Sequence, residues 1–323
     1  MQIDDTLSDW DTIKDQFERP SLLVGNGFSQ NIWPSFAYKS LFETADASGF
    51  SSIDKSLFSK FDTHNFEIIL NALWTSKIVT DILGRDSSDI NERYNSIRGA
   101  LISAVHSVHI PWAAAQASVL DSISSELSKY NSVYSTNYDL IIYWSIMRRP
   151  AFFKDYFFSE RFDINNTDIW GEVTKIHYLH GGLHLYRDVN GGTLKRRAED
   201  GANLLDLFAT PYRNALPLFI SEGHSEEKIS SIYRSDYLSF MLSTFRDDHS
   251  PMVIFGHGLG DSDNHISAAL RSVGGRRLAI SMLPGSDVAM RKADIHKKLP
   301  KAEKIYFFNA ISHPLGSPTL RIV

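Results

Sequence analysis

The fold class is decided by residues 252–309, MVIFGHGLGDSDNHISAALRSVGGRRLAISMLPGSDVAMRKADIHKKLPKAEKIYFFN. Short apolar runs alternate there with segments of helical periodicity. The predicted elements are a strand at Met252–Phe255, a helix at Asp263–Val273, a strand at Arg277–Leu283, a helix at Asp287–Leu299 and a strand at Lys304–Asn309. Such alternation predicts an α/β fold with a parallel sheet and helices on both faces.

Apolar segments upstream extend this pattern. Further strands are predicted within Ser21–Ser29 and at Ser132–Ser135, Lys175–Leu179 and Leu216–Ser221, and helices at Leu140–Met147 and Ser225–Phe245. Between the first two of these strands, about residues 38–130, apolar residues recur at helical spacing, which predicts an inserted group of helices broken at Pro111. The polar segment Asp188–Asn203 predicts an exposed loop or hairpin. We therefore expect a single domain over residues 1–323, with a helical insertion at about 38–130 and a loop insertion at about 186–215.

The composition excludes several classes of protein. Of 323 residues, 43% are hydrophobic, which is enough for a substantial core. The net charge of -5 argues against dedicated nucleic-acid binding. The absence of cysteine removes disulfides, thiolate metal sites and cysteine nucleophiles. The acidic first residues and the lack of a long apolar run predict no signal peptide and no membrane span, so we expect a cytoplasmic protein.

Polar or glycine-rich clusters follow four of the predicted strands directly. They are Gly25-Asn26-Gly27, Thr136-Asn137-Tyr138-Asp139, His180-Gly181-Gly182 and Gly256-His257-Gly258. In a parallel α/β sheet, ligands bind outside the carboxyl ends of the strands. The four clusters therefore predict one shared crevice.

The first two clusters each allow two interpretations. Residues 25–30, GNGFSQ, resemble a dinucleotide-binding glycine turn without its third glycine, and predict either a phosphate cradle of backbone N–H groups or an ordinary strand-to-helix turn. Ser29 could add a hydroxyl donor or cap the helix. Residues 136–139, TNYD, could position a ribose and a water molecule, or form a turn that caps the next helix.

Three histidines fall in residues 177–184, HYLHGGLH. A metal site is not predicted, because His177 and His180 point to opposite faces of a strand and no carboxylate is near them in the sequence. His180, at a strand end before two glycines, predicts an exposed base that titrates near neutrality. His177 predicts a structural residue, and the role of His184 is left open.

Residues 256–265, GHGLGDSDNH, offer a second place where backbone and carboxylates could meet a nucleotide. Gly256, Gly258 and Gly260 allow close backbone approach. The side chains of Asp261, Ser262 and Asp263 could instead simply cap a helix that begins near residue 264.

Together these motifs resemble the bacterial sirtuin-like proteins, including the NAD-hydrolysing domains of anti-phage defence systems. The points of resemblance are VGNGFS (24–29), NFEIIL (65–70), STNYD (135–139), YLHGG (178–182) and FGHGLGDSD (255–263). The last resembles the family's G-x-S-L-x-D-x-D, with Gly258 where serine is usual. Without cysteines the chain lacks the zinc ribbon of the family's protein deacylases, and it is similar to the zinc-free hydrolase branch.

The resemblance implies a Rossmann-like fold and hydrolysis of NAD to ADP-ribose and nicotinamide. Asn137 and His180 would be catalytic, with Asp139 supporting the ribose or Asn137. Contacts with NAD are expected from Gly25, Asn26, Gly27, Phe28, Ser29, Thr136, Gly181, Gly256, Gly258, Asp261 and Asp263. No metal is expected, and the expected partners are NAD and either a second copy of the chain or a defence-system protein.

Alternatives remain open at this point. The chain could be a non-catalytic sensor of NAD or ADP-ribose, or an N-glycosidase that acts on another nucleotide. Within residues 221–228, SEGHSEEK, the side chains of Glu222, His224 and Lys228 could line the pocket, although a solvated helix start is slightly favoured. The helical insertion and the basic segment around Lys195 are the expected contact surfaces.

Overall fold

The computed structural model describes residues 5–36, 41–47, 49–188, 190–198, 202–213, 215–220 and 225–322. Its strands are β1 (Ser21–Val24), β2 (Ser132–Ser135), β3 (Phe153–Lys154), β4 (Thr174–Tyr178), β5 (Gly181–Arg187), β6 (Thr193–Lys195), β7 (Leu216–Phe219), β8 (Met252–Phe255), β9 (Arg277–Met282) and β10 (Lys304–Asn309). Its α-helices are α1 (Trp10–Ile13), α2 (Asn26–Ile32), α3 (Leu41–Ala47), α4 (Ser52–Lys60), α5 (Phe66–Ile82), α6 (Ser88–Val108), α7 (Ala117–Leu127), α8 (Ile141–Met147), α9 (Leu204–Phe208), α10 (Ser225–Tyr233), α11 (Asp236–Asp247), α12 (Asn264–Ser272) and α13 (Val288–Lys298).

Seven strands form a parallel sheet in the order β10-β9-β8-β1-β2-β4-β3. The strands at its centre are apolar and fully buried, as expected for a sheet covered by helices on both faces. The prediction of a Rossmann-like α/β fold is confirmed. Strand β1 has neighbours β8 and β2, and β4 follows β2, so the four strands that precede the polar clusters lie side by side.

Helices α3 to α7 lie between β1 and β2, where the sequence predicts an inserted group of helices. Helices α5, α6 and α7 bury the apolar residues that recur at helical spacing, including Ile69, Leu101 and Ile123. Pro111 lies between α6 and α7, where the break was predicted. These side chains join the same hydrophobic core as the sheet.

The predicted helix at Ser225–Phe245 is wrong as a single element. It is two helices, α10 and α11, separated at Arg234 and Ser235. Ser235 takes an extended conformation, and its side chain accepts a hydrogen bond from the N–H of Leu238, so it caps α11.

Within the predicted exposed segment at Asp188–Asn203, strand β6 forms a hairpin with β5, and the described residues are not exposed throughout. Lys195 is buried and forms an ion pair with Asp155, and Arg196 is buried and donates to the carbonyl of Leu207. Strand β7 pairs with β5 in this small antiparallel sheet and does not join the parallel one. Lys195 and Arg196 hold the hairpin onto the protein, whereas Arg197 is exposed, so only part of the basic segment around Lys195 is available as a contact surface.

Within the part of the chain that the structure describes, no helix combines the length and the apolar character that crossing a bilayer requires.

Candidate functional site

A cleft of about 450 Å³ opens at the carboxyl ends of the four adjacent strands β8, β1, β2 and β4. Asn26 reaches it after β1, Asn137 after β2, His180 after β4 and His257 after β8. The prediction that these strand ends share one crevice is therefore confirmed. The volume lies within the range of small-molecule sites.

The glycines of the first turn are explained by packing of backbone against backbone. The N–H of Gly25 donates to the carbonyl of Phe255 (3.0 Å), that of Gly27 to Gly256 (2.8 Å) and that of Phe28 to Gly25 (3.0 Å). A Cβ on Gly25 would lie 2.7 Å from the Gly256 oxygen. The predicted phosphate cradle is wrong for these three N–H groups, because hydrogen bonds within the protein already occupy them.

Asn137 is held in one orientation by a buried network. Its Nδ2 donates to the carbonyl of Gly25 (3.1 Å) and to Ser29 Oγ (2.8 Å), and its N–H donates to Ser135 Oγ (3.1 Å). Within the described residues its Oδ1 is buried without a hydrogen-bond partner. Asn137 lines the cleft, and its Oδ1 keeps an unused acceptor position.

Asp139 supports this network from behind. Its Oδ2 accepts from Ser29 Oγ (2.5 Å), and its Oδ1 accepts from the N–H of Ile141 at the start of α8 (2.9 Å). Burial raises the pKa of Asp139 above its usual range. Asp139 therefore positions Asn137 through Ser29 and also satisfies an N–H group at a helix N-terminus, as the turn interpretation of the TNYD motif predicts.

His180 is buried in the turn between β4 and β5, and its Nε2 lies 2.8 Å from Nε2 of His265 on α12. Burial lowers the pKa of His180 well below its usual range and lowers that of His265 to about 4. Both rings are neutral near pH 7. The prediction of an exposed base that titrates near neutrality is thus wrong, because the turn is covered by α12.

Asp263 lies at the start of α12 beside these histidines. Its Oδ1 accepts from Nζ of Lys228 (2.7 Å), and its Oδ2 is 3.8 Å from Nε2 of His257. Burial alone would raise the pKa of Asp263, but His180, Lys228 and His257 outweigh it and lower that pKa. The carboxylate makes no capping hydrogen bond to α12, so the capping interpretation is wrong for Asp263.

Comparison with known proteins identifies the family of this chain. A family model described as a domain of unknown function (DUF4917) matches residues 22–315. The chain belongs to the DUF4917 family. No curated protein matches it. The matched residues cover the parallel sheet, apart from Ser21 at the start of β1, and all the residues that line the cleft.

In this DUF4917 protein, several residues predicted to contact a ligand have other roles. Phe28 and Ser29 are buried, and the Ser29 hydroxyl donates a hydrogen bond to Asp139. Gly181 lies on β5 with φ +72°, where a Cβ would meet the carbonyl oxygen of Leu218 at 2.2 Å. Asp261 is almost fully exposed and pairs with Lys298.

Other predicted residues do border the cleft. Asn26, Thr136, Gly256, Gly258 and Asp263 all line it, although the Thr136 hydroxyl donates to the carbonyl of Val24. A Cβ on Gly258 would meet nothing within 4 Å among the described residues. The same holds for Gly260, which also lines the cleft. Packing therefore requires glycine at neither position, which favours close approach of a ligand to the backbone.

The remaining histidines of residues 177–184 lie away from the cleft. His177 is fully buried and stacks on Tyr134, with ring centroids 4.3 Å apart, which agrees with a structural role. His184 is fully buried between Tyr143 and Tyr178. Burial lowers the pKa of both histidines.

One member of the site, His265, was not predicted from the sequence, and pocket lining was the less favoured of the two interpretations given for Lys228. His265 and Lys228 come from α12 and α10, and both are buried. The prediction that Lys228 lies at a solvent-exposed start of a helix is therefore wrong. Glu222 and His224 lie outside the described residues. The local signal for His265 in the sequence was its spacing from Asp263, two residues earlier. The structure also brings the carboxylate of Asp263 next to His180, although no carboxylate was expected there.

Proposed function

We propose that this protein hydrolyses NAD at the bond between nicotinamide and ribose, releasing nicotinamide and ADP-ribose. The observation that carries the proposal is the fixed amide of Asn137, whose Oδ1 is the free acceptor in a cleft that also contains His180. The resemblance of TNYD and HGG to the sirtuin-like hydrolases supports the same two residues. The position at the carboxyl ends of parallel strands is the usual place for a nucleotide.

Asn137 has the chemistry to hold the nucleophile or the sugar. An amide oxygen accepts a hydrogen bond from a water molecule or from a ribose hydroxyl. Because Gly25 and Ser29 already hold both hydrogens of Nδ2, the oxygen needs no reorganisation when the ligand binds. Asn137 would therefore lower the barrier by positioning.

His180 has the chemistry to accept a proton. Its pKa is lowered by burial, so the ring is neutral and carries a lone pair. When Nε2–H of His180 donates to His265, the lone pair of His180 is on Nδ1. A water oxygen forms the new bond to C1′, the C1′–nitrogen electron pair leaves on nicotinamide, and the water proton passes to His180. The departing pyridinium becomes neutral and needs no strong acid, and the transition state resembles an oxocarbenium ion.

The rim of the cleft suits the rest of a dinucleotide. Gly258 and Gly260 leave room for a ligand against the backbone, and Lys228 places a positive charge beside Asp263. These groups would face the sugar and phosphate portions of NAD, which are flexible and anionic. The net charge of the chain is -5, so attraction for NAD would have to be local.

The first test is consumption of NAD by the purified full-length protein, followed by chromatography of nicotinamide and ADP-ribose. Asn137→Ala and His180→Ala should each lower the rate by about 100-fold or more, as for other oriented polar catalytic groups. His249→Ala, which removes an exposed histidine outside the cleft, should match the wild type. Full activity in both cleft variants would contradict the assignment.

A second measurement separates the alternatives. Calorimetry that shows tight NAD binding without turnover in any assembly state would favour a sensor. Cleavage of another nucleotide in a panel analysed by mass spectrometry would favour a different N-glycosidase.

The resemblance extends our proposal to anti-phage defence and to activation by self-assembly or by a partner protein. NAD loss in cells that express the wild type but not His180→Ala would support that extension.

A further inference from the structure

We propose that His180, His265 and Asp263 bind one divalent transition-metal cation in the cleft. One nitrogen from each histidine and one oxygen from the carboxylate lie within 4.8 Å of one another. This inference goes beyond the proposed function, because cation binding does not depend on which substrate the cleft accepts. When the cation is bound, Nε2 of His180 is used by the ion and the ring hydrogen lies on Nδ1. The role of His180 as proton acceptor therefore applies to the metal-free site.

The distances suit a shared cation after small adjustments. Metal–nitrogen bonds to zinc are about 2.1 Å, so two nitrogens on one tetrahedral or octahedral ion lie roughly 3.0–3.4 Å apart. The two Nε2 atoms are 2.8 Å apart, and a few tenths of an ångström of side-chain rotation would admit the ion. All three side chains are anchored on ordered elements, the turn after β4 and the start of α12.

A cation could replace the hydrogen bond between the two histidine rings. When both rings are neutral, one Nε2 donates its hydrogen to the other. The contact therefore uses the lone pair of only one of the two Nε2 atoms. A cation between them takes the lone pair of both rings. It also provides Asp263, which already pairs with Lys228, with a second positive partner.

The donor set indicates the kind of cation. Two imidazoles and one carboxylate bind zinc, iron(II), cobalt(II) or manganese(II) and leave open coordination positions. Because His180 and Asp263 line the cleft, those positions face the space where a ligand would bind. A water molecule bound there would have its pKa lowered by the ion.

The surrounding groups fit a supporting role. Lys228 donates to Oδ1 of Asp263, which orients the carboxylate and leaves Oδ2 for the ion. His257 does not serve as a ligand through Nε2, because its Nδ1 accepts from the N–H of Leu259 (3.0 Å) and the ring hydrogen is therefore on Nε2. Lys228 and the ion together would make the site attractive to an anionic ligand.

The test uses the full-length protein, stripped with a chelator and desalted, without NAD. Zinc, manganese and cobalt are titrated separately by calorimetry, and cobalt binding is also followed by visible absorption. We expect one equivalent of at least one of these cations to bind. His265→Asn and Asp263→Asn should each weaken that binding by at least about 100-fold, and His249→Ala should bind as the wild type does.

The variants are compared at equal folded content, judged by circular dichroism and thermal melting without metal. Absence of saturable binding in the wild type for all three cations would overturn the proposal. So would variants of His265 and Asp263 that both bind as tightly as the wild type. Because no nucleotide is present, the result is distinct from failure of the proposed NAD hydrolysis.

Discussion

At the scale of single residues, Ser29 connects the two most informative side chains of the cleft. Its hydroxyl accepts from Nδ2 of Asn137 and donates to Oδ2 of Asp139, so one buried oxygen satisfies both partners. Such networks are rigid when every member is satisfied. The exception is Oδ1 of Asn137, which has no partner in the described residues and is the atom that we assign to the ligand.

Ser29→Ala tests that connection. The substitution removes one acceptor from Asn137 and one donor from Asp139, and leaves both groups buried. We expect unfolding to become easier by about 1–3 kcal/mol. We also expect NAD turnover to fall mainly through kcat, because the Asn137 amide loses its fixed orientation. Urea unfolding and steady-state kinetics measure the two effects.

Ser124→Ala is the matched control. Ser124 is also fully buried, but its Oγ has no hydrogen-bond partner within the described chain. Its removal takes away an unpaired buried hydroxyl, so we expect no loss of unfolding free energy and at most a gain. Equal losses for the two substitutions would mean that the Ser29 network contributes nothing specific.

At the scale of elements, the turns after β1 and β8 pack so closely that they act as one unit. Gly256 has φ +67°, and a Cβ there would lie 2.4 Å from the backbone nitrogen of Phe28. The N–H of Gly256 is held by Ser281 Oγ on β9 (2.9 Å). Three neighbouring strands are therefore tied together immediately beside the cleft.

Gly256→Ala should accordingly destabilise the protein by more than about 2 kcal/mol, from the left-handed backbone and from overlap with the turn after β1. Gly274→Ala is the control, because a Cβ there would meet nothing within 4 Å of it in the described structure. Thermal unfolding of the two variants gives the comparison. A Gly256→Ala protein as stable as Gly274→Ala would contradict the close packing of these turns.

Most elements could be predicted from the sequence, because their signals are local. Apolar runs of four to six residues fixed β1, β2, β8, β9 and β10, and helical periodicity fixed α5, α6 and α7. The break at Ser235 could not be predicted, since apolar periodicity continues across it. The burial of Lys195 depends on Asp155, which is distant in the sequence.

At the scale of the whole molecule, the fold buries several histidines in the neutral state. Burial lowers the pKa of His177 to about 3, and His177 has no hydrogen-bond partner for either ring nitrogen in the part of the chain that the structure describes. The pKa of an unfolded histidine is about 6.5. In this pH range the unfolded chain binds a proton at His177 that the folded chain does not bind. The free energy of unfolding therefore falls as the pH drops from about 6.5 towards 3.

His177→Phe should reduce this acid sensitivity. Phenylalanine keeps the stacking against Tyr134 and Tyr156 and cannot be protonated. The loss of unfolding free energy between pH 7.5 and pH 4.5 should be smaller than in the wild type by about 3 kcal/mol. Urea unfolding at the two pH values measures it, and His249→Ala should behave as the wild type. An unchanged pH dependence in His177→Phe would show that other groups cause the acid sensitivity.

The sequence by itself determined the α/β class, the helical insertion and the convergence of four strand ends on one cleft. These follow from local apolar patterns and from the geometry of parallel sheets, which places all the carboxyl ends on one edge. Only the tertiary structure decided what meets inside the cleft. His180 and His265 are 85 residues apart, and Lys228 and Asp263 are 35 apart. No local pattern encodes these contacts, because they depend on how α10 and α12 pack against the sheet.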